Sequence, residues 1–186
     1  MDKTRAAQIQ RLFLVEALPE PLTRASAHLQ IFDNYIANTR MRIRAVRNPE
    51  TKEWMRSLQQ RLFEKPAALA CVKISEMRLD EAEYEQFKIF EGSEIRKNRY
   101  FHDFDGRPMA FDVYLGDLWG LNVAKIEFQS MAEAEDFGPP VFALFEVTRE
   151  PFFDGASLVE KKIDDVRAAI EKLEPLEKSI GGRNVD

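Results

Sequence analysis

Cysteine is nearly absent. A single one, Cys71, stands among 186 residues, which excludes an internal disulfide and a cysteine-built zinc site. Histidine is almost as scarce, with His28 and His102 alone, too few for a histidine-rich metal centre. No run of apolar residues reaches the length of a membrane span, and Met1-Asp2-Lys3-Thr4-Arg5 lacks the apolar stretch of a signal peptide. The expected location is cytoplasmic. Positive charge is not in excess either: 27 Lys and Arg face 32 Asp and Glu, a net charge of −5. That argues against a general nucleic-acid or anionic-membrane binder, so any anion site has to be a local concentration of charge.

What is present suits one domain covering residues 1–186, with 45% hydrophobic and 32% charged residues. There is no internal repeat, low-complexity segment or flexible linker. Strand-like runs are expected over 8–15, 31–36, 41–46, 54–63, 69–79, 94–102, 109–115, 123–128 and 141–148, about eight of them forming the sheet. A short helix is expected over 23–29. Asp80 with Glu83 makes a capping box that opens a helix towards Gly92, with Tyr84, Phe87 and Phe90 as its packing stripe. Ser130 with Glu133 opens a shorter helix in the same way. Leu158, Val166, Ile170 and Leu173 recur at helical spacing in a charged amphipathic tail over 156–180. Asp105-Gly106 is a strong hairpin signal, and connections of hairpin length favour an antiparallel sheet or barrel.

The stretch Arg40-Met41-Arg42-Ile43-Arg44 sets positive charge against an apolar back. Strand side chains alternate with period two, so Arg40, Arg42 and Arg44 share one face while Met41, Ile43 and Ala45 share the other. Such a row is either a solvated strand face or one wall of an anion site, since arginine forks match phosphate oxygens two at a time. Other strands alternate similarly. Lys97 and Arg99 share a face with Ile95 and Phe101. Asp112 shares one with Ala110 and Tyr114, and Lys125 shares one with Glu127. A flat sheet with one wet face would look like this. In a closed barrel covered by helices the charged faces would instead point inward, and an interior rich in one sign of charge requires opposite charges or a charged ligand.

The order of these pieces resembles the CYTH family, the triphosphate tunnel metalloenzymes, over nearly the whole chain and most clearly over 95–158. Met41-Arg42-Ile43-Arg44 matches the family's arginine strand, and Ile95-Arg96-Lys97-Asn98-Arg99-Tyr100 its Lys-x-Arg-Tyr strand. Phe111-Asp112-Val113-Tyr114-Leu115-Gly116-Asp117-Leu118-Trp119-Gly120-Leu121 is similar to the aspartate strand and the loop after it. Ala124-Lys125-Ile126-Glu127-Phe128 is similar to the acidic strand, and Pro140 followed by Phe145-Glu146-Val147-Thr148 to the Glu-Val-Thr strand. The resemblance implies an α+β chain: an eight-stranded antiparallel β-barrel with helices packed outside and a C-terminal helix. It also implies basic side chains that grip a triphosphate and carboxylates that hold a divalent metal, Mg or Mn.

One half of that machinery is better kept than the other. Arg42, Arg44, Lys97 and Arg99 stand at the cationic positions, Arg61 stands near a family lysine, and Lys125 adds a cation where the family has an acid. Of the family's acids, Asp112 and Glu127 remain, either as metal ligands or as salt-bridge partners that organise the arginines, and Glu76 is the candidate metal ligand within 69–79. The opening Glu-x-Glu-x-Lys is replaced by Gln8, Gln10 and Leu12, and Ala110 and Lys125 stand where acids would be. Removing carboxylates weakens a magnesium site and also removes repulsion against phosphate. The expectation is a tunnel that binds a triphosphate or other polyphosphate with little dependence on metal and with hydrolysis lost or weakened. Two alternatives stay open. One is an active Mg- or Mn-dependent triphosphatase or related nucleotidyl enzyme, and the other is a non-catalytic scaffold that forms a homodimer through its C-terminal helix. Arg11, out of step with Gln8 and Gln10, should point outside the tunnel, and Glu146, in an apolar strand, should be structural.

Overall fold

The period-two pattern becomes a closed sheet. In the computed structural model the described residues are 4–63, 71–90 and 92–176. Nine strands follow one another: β1 (Thr4–Val15), β2 (His28–Tyr35), β3 (Met41–Arg47), β4 (Trp54–Phe63), β5 (Cys71–Leu79), β6 (Ser93–Phe104), β7 (Arg107–Tyr114), β8 (Asn122–Phe128) and β9 (Ala143–Glu146). They lie in the order β5-β4-β3-β2-β6-β7-β8-β1-β9, and β1 also pairs with β5, so the first eight strands close into an antiparallel barrel. The start of the expected 69–79 strand lies outside the described residues.

β1 makes the seam. Its first half pairs with β5, from Thr4 against Glu76 to Ile9 against Cys71. Its second half pairs with β8 on one edge and with the four-residue β9 on the other. The expected strand over 141–148 is shortened to β9 because residues 141–142 form a turn after Pro139-Pro140.

Helices are few and short. In α1 (Glu81–Phe87) the Asp80 side chain accepts from the Glu83 amide while the Glu83 carboxylate accepts from the Asp80 amide, as the capping box predicts. The helix gives way to a 3-10 turn over Lys88–Phe90 instead of running on to Gly92. None of its residues is buried; Tyr84 lies under Arg56 and Phe87 touches Phe90, so the expected packing stripe covers little. In α2 (Met131–Asp136) Ser130 caps Glu133, whose own carboxylate accepts from the Gln129 amide.

Two helical expectations fail. Residues 23–29 form turns in which the Thr23 and Ser26 side chains take up backbone amides and His28 already begins β2. The tail divides into α3 (Gly155–Leu158) and α4 (Ile163–Ile170), because the Asp165 carboxylate accepts from the Lys162 amide and starts a new helix. Residues beyond 176 in the expected tail helix lie outside the described ones.

Two apolar clusters hold the barrel. The first lies on its outer face, where Phe13, Tyr100, Phe111 and Ile126 are covered by Ala134 of α2 and by Phe137 and Phe142. Each such side chain stabilises the fold by about 1.5–3 kcal/mol on burial. The second fills one end of the interior: Leu14, Ile95, Tyr114 and Val123 meet Val147, Phe153, Leu158 and Val166 from the chain after β9. Among the described residues no helix is long and apolar enough to cross a membrane.

Candidate functional site

Between that apolar plug and the opposite mouth, the inward faces of the strands line a cavity of about 370 Å³. Every cation expected at the site faces it: Arg42 and Arg44 from β3, Arg61 from β4, Lys97 and Arg99 from β6, and Lys125 from β8. So do Glu76, Asp112 and Glu127, along with Gln8, Gln10 and Leu12. Arg40 does not belong to this row. It is exposed in the turn before β3, where its carbonyl accepts from the Arg61 amide.

Several cavity residues escape a motif-based view. Asp33 and Tyr35 of β2, Gln59 of β4, Tyr114 of β7, and Asp154 after β9 all line it. Asp33 and Tyr35 share one face of β2, and their register with Arg44 and Arg42 marks that face as interior. Asp154 sits in a loop with no period to read.

The charges are organised around two aspartates. Asp33 accepts from Arg44 Nε and Nη2, both at 2.6 Å, and from Arg42 Nη1 at 3.2 Å. Asp112 accepts from Arg99 Nε at 2.6 Å and Nη2 at 2.7 Å, and from Lys97 Nζ at 2.7 Å. Each buried carboxylate thus ties down two cations, and each group of three keeps one positive charge in excess. A relay extends the first group: Arg42 Nε donates to Gln59 Oε1 at 2.8 Å, and Gln59 Nε2 donates to Glu76 Oε1 at 2.8 Å. Arg42 also donates to the Tyr35 hydroxyl at 3.2 Å. Nearer the mouth Lys125 Nζ lies 2.6 Å from Glu127 Oε1. At the plugged end Arg61 is joined to Asp154.

Protonation follows from this arrangement. Burial alone would raise the Asp33 carboxyl, but Arg42 and Arg44 outweigh it and hold it far below the ordinary carboxylate range. Asp112 is held down in the same way by Arg99 and Lys97. Burial lowers Lys97 to about 8 in spite of Asp112, and lowers Lys125 to about 8 in spite of Glu127. Burial also pushes the Tyr35 and Tyr114 hydroxyls up, so both stay protonated.

Arg11, expected to point outside the tunnel, and Glu146 are both absent from the cavity lining. Arg11 spans both Glu146 oxygens, at 2.8 and 2.6 Å, and donates to the carbonyls of Ala134 and Phe137. Glu146 also accepts from Thr148 Oγ1 at 2.7 Å. The group therefore ties β9 and α2 to β1.

A divalent cation needs several oxygens not committed elsewhere. Asp112 is shared by two cations, Glu127 is paired with Lys125, and Glu76 accepts from Gln59. Among the described residues no three acidic, His or Cys side chains converge as a metal cradle. The described acids of the cavity do not fit a magnesium or manganese ion.

No protein-family model and no curated protein matches the sequence. Among solved structures, the chain is similar to the crystal structure of the inorganic triphosphatase NE1496. The TM-score is 0.56 at 22% identity, over 82% of this chain and 93% of that one. A second structure, of the hypothetical protein NE1496, gives a TM-score of 0.58 at 22% identity, over 83% of this chain and 99% of that one.

Proposed function

We propose that this chain, a closed barrel with the triphosphate-tunnel fold that its motif order implies, binds a triphosphate or other polyphosphate anion without requiring a divalent metal and without efficient hydrolysis. The observation that carries this is the pairing of the tunnel's acids with its bases. Asp33 and Asp112 each serve two cations, so they orient donors for an anion and have no oxygens left over for a metal. Arg44 and Arg99 keep guanidinium N–H groups beyond those directed at the aspartates, and Lys97 keeps ammonium protons beyond the one given to Asp112. Arg42, Arg61 and Lys125 extend the basic lining along the cavity. Preorganised forks of this kind suit phosphate oxygens, because little side-chain freedom remains to be lost on binding.

Phosphoryl transfer in water-excluded sites depends on neutralising charge on both attacking and leaving oxygens, which paired metals commonly do. With Asp112, Glu127 and Glu76 engaged by basic or amide partners, that contribution is missing, and binding is favoured over turnover. Isothermal titration with tripolyphosphate, with magnesium and with chelator, is the test. Binding of similar strength in both, with no phosphate released, is expected. Strict dependence on magnesium or manganese, or rapid release of phosphate, overturns the proposal in favour of an active triphosphatase, the activity named for NE1496.

A further inference from the structure

Two polar groups of the cavity are left over once the charged pairs are made. Tyr35 from β2 and Tyr114 from β7 both line it at the plugged end. Tyr114 is only 6% exposed; its ring packs in the apolar cluster, with the centroid 5.1 Å from Lys97 Nζ. Among the described residues its hydroxyl has no hydrogen-bond partner. The Tyr35 hydroxyl accepts from Arg42 Nη1 at 3.2 Å and gives its own proton to no described acceptor. Gly155 stands against that hydroxyl, so close that a Cβ there would meet the oxygen at 1.8 Å; a glycine leaves Tyr35 its place. Burial raises both phenols, so each keeps the proton it has to give.

Buried phenols ordinarily find partners. Here the carboxylates whose charge reaches the two hydroxyls are already taken: Asp33 by Arg42 and Arg44, Asp112 by Lys97 and Arg99, and Asp154 by Arg61 and the Ala156 amide. What remains there to meet a ligand is chiefly hydrogen-bond donors, two O–H groups beside Arg42 and Lys97. We infer that the Tyr114 and Tyr35 hydroxyls donate to a terminal phosphate seated against the plug, and so distinguish a ligand that ends in phosphate from one that does not. This rests on the proposed phosphate-binding function and assigns the deep end of the same site. The apolar cluster fills the barrel beyond, so a ligand that reaches the two hydroxyls ends there. An end phosphate presents three acceptor oxygens, more than a bridging one, which suits a place where several donors meet. Neutral donors also add hydrogen bonds to the anion without adding a charge that would need another buried carboxylate.

Calorimetric titration of the full-length protein without metal tests this, using tripolyphosphate, which has terminal phosphates, and cyclic trimetaphosphate, which has none. Tyr114→Phe should lower tripolyphosphate affinity about tenfold, the value of one hydrogen bond to a charged group, and leave trimetaphosphate affinity within about twofold. Tyr35→Phe should act in the same direction. Because Tyr114→Phe breaks no hydrogen bond within the protein, the unliganded variant should unfold at the same temperature as the unaltered chain. Unchanged tripolyphosphate affinity in either variant, an equal loss for the cyclic compound, or a lower unfolding temperature of unliganded Tyr114→Phe protein overturns the inference and leaves the phosphate site standing. Failure of tripolyphosphate to bind the unaltered protein overturns the underlying phosphate-binding proposal instead.

Discussion

Arg99 spans both oxygens of Asp112, with Nε 2.6 Å from Oδ1 and Nη2 2.7 Å from Oδ2. Lys97 joins Oδ2 from 2.7 Å. Because Asp112 and Lys97 are buried and Arg99 is partly so, removing the carboxylate charge leaves two cations without compensation. Asp112→Asn should lower the stability of the free protein by about 3–5 kcal/mol, the usual cost of breaking a buried ion pair. An added polyanion should then restore more than it adds to the unaltered protein. Thermal unfolding with and without tripolyphosphate measures both effects; a variant with unchanged stability would show that the aspartate does not organise the site.

Arg44 is the matching element on the other wall, forked onto Asp33. Arg44→Ala should weaken tripolyphosphate binding by roughly ten- to a hundredfold, the value of one or two charge-assisted hydrogen bonds. Arg44→Lys, which keeps the charge and loses the fork, should fall between the two. Calorimetric titration of both variants is the check, and equal affinity for all three proteins would remove Arg44 from the site.

The lysines give the site a pH dependence. Lys97 and Lys125, each lowered from 10.5 to about 8, lose their charge as pH rises through 8. Ligand affinity should therefore drop between pH 7 and 9, by on the order of tenfold per lysine at pH 9, and Lys125→Met should flatten part of that profile. The stability of the free protein runs the other way. A depressed lysine is least favourable while protonated, and between pH 8 and 10.5 the unfolded chain binds more protons, so these two groups make stability rise with pH across that window. Asp33 and Asp112, depressed from 3.8, act in acid. Their contribution is complete above the ordinary carboxylate value and is lost as pH falls below about 4. Denaturant titrations across pH test both signs.

Glu146 provides a contrast with the tunnel acids. Its bond to Arg11 is bidentate but partly exposed, the side chains being 13% and 29% accessible. Glu146→Gln should cost about 1–2 kcal/mol of stability after allowance for that exposure and leave tripolyphosphate affinity unchanged. Chemical unfolding together with calorimetry separates this outcome from a direct role in binding.

How far the sequence foretells the site depends on whether a residue repeats. Arg42 with Arg44, and Lys97 with Arg99, announce themselves because alternation places two like charges on one face. Asp33 stands singly between Phe32 and Asn34, and only its pairing with Arg44 across the ladder identifies it as interior. Asp154 reaches Arg61 from a loop, where no period exists. The tail shows a different limit. Leu158 and Val166 keep helical spacing across the break, since both must reach the same apolar plug, so periodicity sees one helix where the Lys162–Asp165 cap divides two. For 23–29 the hydroxyls of Thr23 and Ser26 satisfy amides locally and compete with a helix.

The double pairing of β1 also bears on how the molecule is assembled. Its partners β5, β8 and β9 come far later in the chain: Gln10 faces Glu127 and Phe13 faces Glu146. Hairpins such as β3–β4 and β6–β7 join neighbours and can form early, but the ring closes only after β8 has been made and carried back to the first strand. That closure imposes a large loop-entropy cost before its hydrogen bonds are gained, which makes it the expected slow step of folding. Lys125 and Glu127 reach the cavity on β8, so its charged lining is completed in the same event that seals the barrel. An anion that grips both walls would then stabilise the closed ring specifically and slow its reopening.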